Sequence, residues 1–336
     1  MLVDGGLPPD LAGAADGARR AEEEGYAAVW GSETSHDPFL PLALAAEHTT
    51  RLELGTGIAV AFARNPMTVA STAWDLNAYS RGRFLLGLGS QIKPHIEKRF
   101  SMPWSHPAPR MREFVSAMRA IWACWQDGTP LQFRGEYYRH TLMTPFFSPP
   151  PNQYGAPRVF LAAVGPAMTR VAGEVADGLL VHGFTTARYL REVTLPAVES
   201  GLAASGRSRA GFQLSYPIFV VTGDTDEQLA EAASGTRKQL AFYASTPAYR
   251  AVLDLHGWGE LQPTLNALSK QGRWDDMADL IPPEVLDAFA VVGEPDEVPA
   301  LITERVGELV DRVSLYTPYP IADDVVARVR GGLLAG

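Results

Sequence analysis

The chain of 336 residues has one cysteine, Cys124, so no disulfide can form within it. That excludes a disulfide-stapled fold. The thiol, set in the helical-looking RAIWACWQDG, is expected to fill core. Apolar stretches are short, and none reaches the roughly 18 residues a membrane-spanning helix needs. Basic residues are in deficit, 29 against 38 acidic, for a net charge of −9. Such a chain has little global attraction for nucleic acid or anionic lipid, so any anion site must be local. The histidines show no metal-ligand spacing, and neither a G-x-S-x-G turn nor a Walker-type phosphate loop occurs. Sequence repeats and low-complexity linkers are missing too. Asp4, Asp10 and Asp16 fall where a secretory signal needs an uncharged run, so a cytoplasmic protein is expected.

What remains is 46% hydrophobic, enough for a large core, and is punctuated by 31 Gly and 26 Pro. Short β-branched or apolar runs alternate with longer amphipathic ones. Strands are expected at 2–6, 27–31, 52–58, 83–89, 158–164, 178–183, 212–223 and 312–316. Between them, Pro8-Pro9-Asp10 starts a helix that Gly25 stops, and Asn65-Pro66 starts another running to about Tyr79. Arg110–Trp125 carries Met111, Phe114, Val115, Met118, Ile121 and Trp122 at helical spacing. The middle breaks this rhythm with a polar hairpin at 132–140 and the Pro-rich TPFFSPPPNQYGAP, which cannot be helical. Residues 225–290 look helical with breaks, and 322–334 closes the chain as a helix. Eight strands with helical crossovers imply a parallel sheet covered outside. The length favours a (β/α)₈ TIM barrel with inserted segments at about 90–107, 127–157 and 225–290, and an open doubly wound sheet is the competitor. One domain over 1–336 is expected.

Two stretches go further: LELGTGIAVAFARNPMTVASTAWDLNAYSRGRFLLGLGS (52–90) and RVFLAAVGPAMTRVAGEVADGLLVHG (158–183). The combination of a strand, an R-N-P helix start, S-R-G-R-F-L-L-G-L-G and A-A-x-G-P resembles the luciferase-like monooxygenase superfamily. Within it, the chain is similar to the branch that uses the deazaflavin coenzyme F420. The resemblance covers nearly the whole chain and implies a TIM barrel with the cofactor ring at its C-terminal mouth.

It also implies site residues. Glu33, in SETSHDPF after the second strand, takes the position of an acid that touches the deazaflavin. Glucose-6-phosphate dehydrogenases of this branch follow that acid with a catalytic His and place a catalytic Glu further on. Here Thr34 and Ile92 stand there, so their mechanism does not carry over. His36 beside Asp37 is the candidate acid–base residue with Glu33, since an adjacent carboxylate can orient an imidazole. Read without function, Asp37-Pro38 only caps the next helix. GTGIAV resembles the bulge that supports the ring, with a non-prolyl cis peptide at Gly57-Ile58 and Val60 beside it. Ser90 and Gln91 match cofactor-bonding positions. His95 joins Lys93, Lys98 and Arg99 in a basic run suited to an anionic phosphate and polyglutamate tail. Ala163, Val164, Gly165, Pro166, Ala167 and Met168 form a strand-to-helix turn of the kind that holds the cofactor phosphate and ribityl region. His182 should face the same mouth as a substrate residue. Trp104, Trp258 and Trp274 could line an apolar pocket, though ordinary packing is the favoured reading.

The expected activity is F420-dependent hydride transfer with a small organic substrate, either an alcohol/carbonyl pair or an activated double bond. The alternatives are an FMN-dependent monooxygenase and a barrel that binds flavin or another ligand without turnover. No metal, nucleic-acid or membrane partner is expected, and a homodimer stays open.

Overall fold

Eight parallel strands close on themselves in the computed structural model, which describes residues 1–336. They are β1 (Leu2–Gly6), β2 (Ala28–Gly31), β3 (Glu53–Thr56), β4 (Phe84–Gly89), β5 (Arg158–Ala163), β6 (Gly178–Val181), β7 (Gln213–Val221) and β8 (Arg312–Tyr316). Each pairs with the next, and β8 returns to β1 in parallel register, Leu2 opposite Arg312 and Asp4 opposite Ser314. The fold is therefore the expected TIM barrel, and the open sheet is excluded.

Local chemistry sets the helices around it. The Asp10 carboxylate accepts the Gly13 N–H at 2.8 Å and the Asn65 side chain accepts the Thr68 N–H at 3.0 Å, so both helix starts are capped as their sequences predict. Gly25, at φ +84°, follows the end of the first helix. The helix Pro107–Asp127 starts three residues before the expected Arg110 and buries its whole predicted apolar face. Cys124 packs half-buried against the same core.

The third strand is shorter than the apolar run suggests. After Thr56 the chain bulges through a cis Gly57–Ile58 peptide, then returns as Ala59–Val60 to pair with β4. Within β4, a Cβ on Gly87 would lie 1.8 Å from the Thr56 carbonyl oxygen, so only glycine fits there. The Thr56 hydroxyl donates to the Gly87 carbonyl at 2.7 Å and accepts the Gly87 N–H at 2.9 Å, locking β3 to β4 just below the bulge.

The insertion at 225–290 differs from an all-helical reading at its end. Its helices, the longest being Asp226–Ala244, surround a second apolar core, but Ala290–Val292 is a short strand on β7. A β-branched pair after Phe289 favours that extended ending. The helix Val298–Val306, before β8, has no counterpart among the expected elements.

At the seam, polar side chains cross the barrel interior. Asp4 accepts from Arg312 Nε at 2.8 Å, Arg312 Nη2 at 2.9 Å and Trp30 Nε1 at 2.9 Å. Arg312 Nη1 reaches Glu53 at 2.7 Å, and Arg158 pairs with the other Glu53 oxygen. Burial alone disfavours the Arg312 charge, but the bonds and charges of Asp4 and Glu53 outweigh it and raise its pKa. Breaking one side of a buried pair typically costs about 3–5 kcal/mol because the other charge stays uncompensated. Asp4→Ala should therefore lower the unfolding free energy measured in urea by that order, and Asp4→Leu with Arg312→Met should recover most of it. A loss below about 1 kcal/mol for Asp4→Ala would show that the seam does not depend on the pair.

Candidate active site

Because all eight strands run the same way, their C-terminal ends make one mouth. Glu33 lies two residues past β2, and the bulge 57–60 follows β3. Ser90 and Gln91 follow β4, Val164–Met168 follow β5, and His182 follows β6. Residues far apart in sequence are thus brought to one end of the barrel.

Glu33 braces the bulge. Its Oε2 accepts the Val60 N–H at 2.7 Å and Arg64 Nη1 at 2.6 Å, and Arg64 also donates to the Val60 carbonyl at 3.1 Å. With a side chain only 7% exposed, Glu33 neutralises Arg64 and fills the one main-chain donor of Val60. The sequence suggested that Asp37 orients His36, and the structure corrects this. Asp37 Oδ1 instead accepts the Phe39 and Leu40 N–H groups at 2.8 and 3.1 Å, and Oδ2 faces Arg64 at 3.5 Å. Unpaired amides at a helix start compete for that carboxylate and win. His36 is exposed and has no hydrogen-bond partner.

Beyond β4, the Gln91 side chain accepts the Ile92 N–H at 3.0 Å, and Ser90 Oγ donates to the Gln91 carbonyl at 3.1 Å. The basic run is partly satisfied from within. Lys93 lies 3.8 Å from Glu97, and Arg99 donates to the Thr34 carbonyl, tying this loop to the one after β2. Lys98 and His95 are exposed, and Lys98 has no ion-pair partner. Trp104, partly buried, packs edge-on against Phe62, and Trp258, also partly buried, stacks on His256. Trp274 is half exposed beside Phe242.

Past β5, Gly165 is the cap residue of the helix Pro166–Val175, and no side chain bonds to that helix start. A Cβ on Gly165 would meet nothing within 4 Å, so the approach is open. The first-turn amides of Ala167 and Met168 are among those a helix cannot satisfy internally, which gives a cradle for an anion.

The other half of the mouth is aromatic, and most of it was not foreseen. His182 Nδ1 accepts the Phe184 N–H at 3.0 Å, and Nε2 lies 3.1 Å from the Tyr249 hydroxyl. The ring stacks on Tyr249 at 4.5 Å and meets Tyr243 edge-on at 4.8 Å. Tyr243 and Tyr316 share a hydroxyl–hydroxyl bond of 2.9 Å, and Tyr316, ending β8, stacks on Phe219. Burial pushes the His182 pKa down to about 4 and the Tyr249 pKa up to about 12. His182 and Tyr316 carried a sequence signal, their places at the ends of expected strands, and Tyr243 and Tyr249 carried none.

The mouth thus joins a braced cis-peptide bulge, an open anion cradle and an aromatic wall on a TIM barrel. The chain belongs to the luciferase-like monooxygenase family, whose profile matches residues 2–312. It is 60% identical over 313 residues to Rv1360 of Mycobacterium tuberculosis strain H37Rv, covering 93% of this chain and 92% of that protein. With the 5,10-methylenetetrahydromethanopterin reductase of Archaeoglobus fulgidus it shares 29% identity, over 86% of this chain and 83% of the reductase. The coenzyme F420-dependent tetrahydromethanopterin reductase of Methanopyrus kandleri superposes with a TM-score of 0.78 at 22% identity, over 98% of this chain and 96% of that one. The family is one of oxidoreductases that includes F420-dependent reductases and monooxygenases. No helix is long and apolar enough to cross a membrane, and no cluster of three or more His, Cys, Asp or Glu is placed to hold a metal.

The depressed His182 pKa makes a stability prediction. The unfolded imidazole titrates near 6.5, so between that pH and about 4 the unfolded chain binds the proton that the folded site refuses. Stability from this group is present above pH 6.5 and falls as pH drops through that window. The loss is about 2 kcal/mol between pH 7 and 5. His140 and His256 are shifted the same way by burial, so the difference between wild type and His182→Gln isolates His182. Urea midpoints with the same pH dependence in both proteins would contradict the assignment.

Proposed function

We propose that the chain is an F420-dependent oxidoreductase that moves a hydride between the deazaflavin and a small organic substrate, an alcohol/carbonyl pair or an activated double bond. The observation that carries this reading is the uncapped helix start at Gly165, open and free of competing side chains, at the same mouth as the braced bulge. Those residues fit an anionic cofactor: the cradle supplies main-chain donors, and the 93–99 loop supplies local positive charge in a chain of net charge −9. When bound, the deazaflavin supplies hydride at its central ring carbon.

In this reading Ala163, Val164, Gly165, Pro166, Ala167 and Met168 hold the phosphate and ribityl region. Gly57, Ile58 and Val60 back the ring. Glu33 fixes their geometry through Val60 and Arg64, while Ser90, Gln91 and His95 border the ring edge. Lys98 and its neighbours face the polyglutamate tail. The proton partner comes from His36 at the rim or from the His182 group on the aromatic wall. The family name supports a second reading, an FMN-dependent monooxygenase. We place the protein in the cytoplasm as one domain acting on small molecules.

Anaerobic turnover tests the proposal. Reduced F420 should be oxidised by at least one member of a panel of ketones, aldehydes and enones, with no oxygen consumed. Oxygen uptake with reduced FMN and none of that turnover would overturn it. A salt series adds the tail. Affinity for the polyglutamylated coenzyme should fall with ionic strength more than affinity for a tail-less analogue. Equal responses would make the 93–99 cluster a solvated face only.

A further inference from the structure

We propose that the Tyr249 hydroxyl, positioned by His182, is the proton donor to the carbonyl oxygen of an uncharged substrate at the barrel mouth. The inference rests on the oxidoreductase reading above and adds to it a catalytic residue and a substrate class. His182 follows β6 directly, so a hydroxyl 3.1 Å from its Nε2 lies at the same end of the barrel as the bulge and the anion cradle.

Hydrogen-bond logic gives the direction of each proton. Nδ1 of His182 accepts the Phe184 N–H, so the neutral ring carries its proton on Nε2. That Nε2–H donates to the Tyr249 oxygen, and the Tyr249 O–H is then left to donate elsewhere. The Tyr249 hydroxyl makes no other hydrogen bond. The Tyr243 and Tyr316 hydroxyls bond only to each other, and neither oxygen receives an N–H. A phenol whose oxygen accepts an N–H loses its proton more readily to a developing alkoxide, because that bond strengthens as charge appears. The stacking of Tyr249 on His182 fixes its ring. Burial keeps His182 neutral at working pH, so the same tautomer serves throughout.

The wall also defines what binds. Its partly exposed members are His182, Tyr243, Tyr249 and Tyr316, backed by the buried Phe184, Phe219 and Phe289, and the hydroxyl and ring-nitrogen bonds among them involve no carboxylate or guanidinium. A phosphate or carboxylate set against these hydroxyls and the neutral imidazole would find no counter-charge bonded among them. A neutral ketone or aldehyde needs none. In the reduction, the carbonyl carbon receives a hydride with its two electrons, and the C=O π pair moves to oxygen. That oxygen takes the Tyr249 proton as the O–H bond breaks, and the phenolate regains a proton from water. The reductant is a reduced deazaflavin, oxidised by two electrons.

The test uses the full chain, with acetophenone and cyclohexanone as probes and four variants: Tyr249→Phe, Tyr243→Phe, His182→Gln and His182→Ala. Tyr249→Phe keeps the ring and its stacking, and should melt like wild type while kcat falls about 10²-fold or more. Its affinity for F420 should be unchanged, and the wild-type enzyme should show a solvent deuterium isotope effect on kcat that this variant lacks. His182→Gln retains an acceptor and a donor and should stay much closer to wild type than His182→Ala, which should resemble Tyr249→Phe. Nitrogen NMR of the cofactor-free chain should show the Nε2–H tautomer of His182, with its Nε2 signal shifted in Tyr249→Phe. Near-normal turnover by Tyr249→Phe, or a loss confined to Tyr243→Phe, overturns the proposal while leaving the oxidoreductase reading intact. F420 binding without turnover of either ketone overturns the substrate class. Failure of F420 to bind at all overturns the underlying reading, and this proposal with it.

Discussion

A guanidinium with no exposure to water closes this barrel. Arg312, on β8, meets Asp4, on β1, through two hydrogen bonds, joining residues 308 apart in sequence. Two charges taken out of water lose several kcal/mol each in hydration, and only well-aligned bonds offset that loss. Here the alignment extends around the ring: Trp30 of β2, Glu53 of β3, Arg158 of β5 and Gln213 of β7 all bond within the same layer. A slip of β8 against β1 would leave these charges unpaired. Strand register in turn decides which residues emerge at the mouth.

On that frame the two halves of the mouth are built differently. The half read as the cofactor side comes from strand ends and the turns attached to them, held by short local contacts such as Val60 to Glu33 and Thr56 to Gly87. The aromatic half combines two strand ends, His182 and Tyr316, with Tyr243 and Tyr249 from the 225–290 insertion. That insertion has its own apolar core, so its side chains approach the mouth from a rigid support. A bulge fixed by the barrel and a wall supplied by an insertion would let one fold keep its cofactor while changing substrate.

The sequence made the barrel's elements legible because their punctuation is local, while the choice of a closed barrel over an open sheet leaned on the family resemblance. Asp10 and Asn65 cap the helices they precede, Gly25 follows the one it stops, and β8 lies where Arg312–Tyr316 reads as a strand. The cis Gly57–Ile58 peptide was legible only through the resemblance of GTGIAV to a family bulge. Pairings over long separations were not legible. Nothing near Glu33 announces that Arg64 will neutralise it, and no neighbour of Asp4 points to Arg312. His36 beside Asp37 looked like a coupled pair because adjacency is visible in sequence, but the amides of Phe39 and Leu40 hold that carboxylate. Tyr243 and Tyr249 fall in helical segments with no motif, where an aromatic residue reads as core.

The central proposal is that this mouth holds a deazaflavin with an anionic tail, and a parallel binding titration of the purified apoprotein with F420 and FMN tests it most directly. The account predicts saturable F420 binding at least about tenfold tighter than FMN, a difference of about 1.4 kcal/mol. Tight FMN binding with no measurable F420 affinity would contradict it.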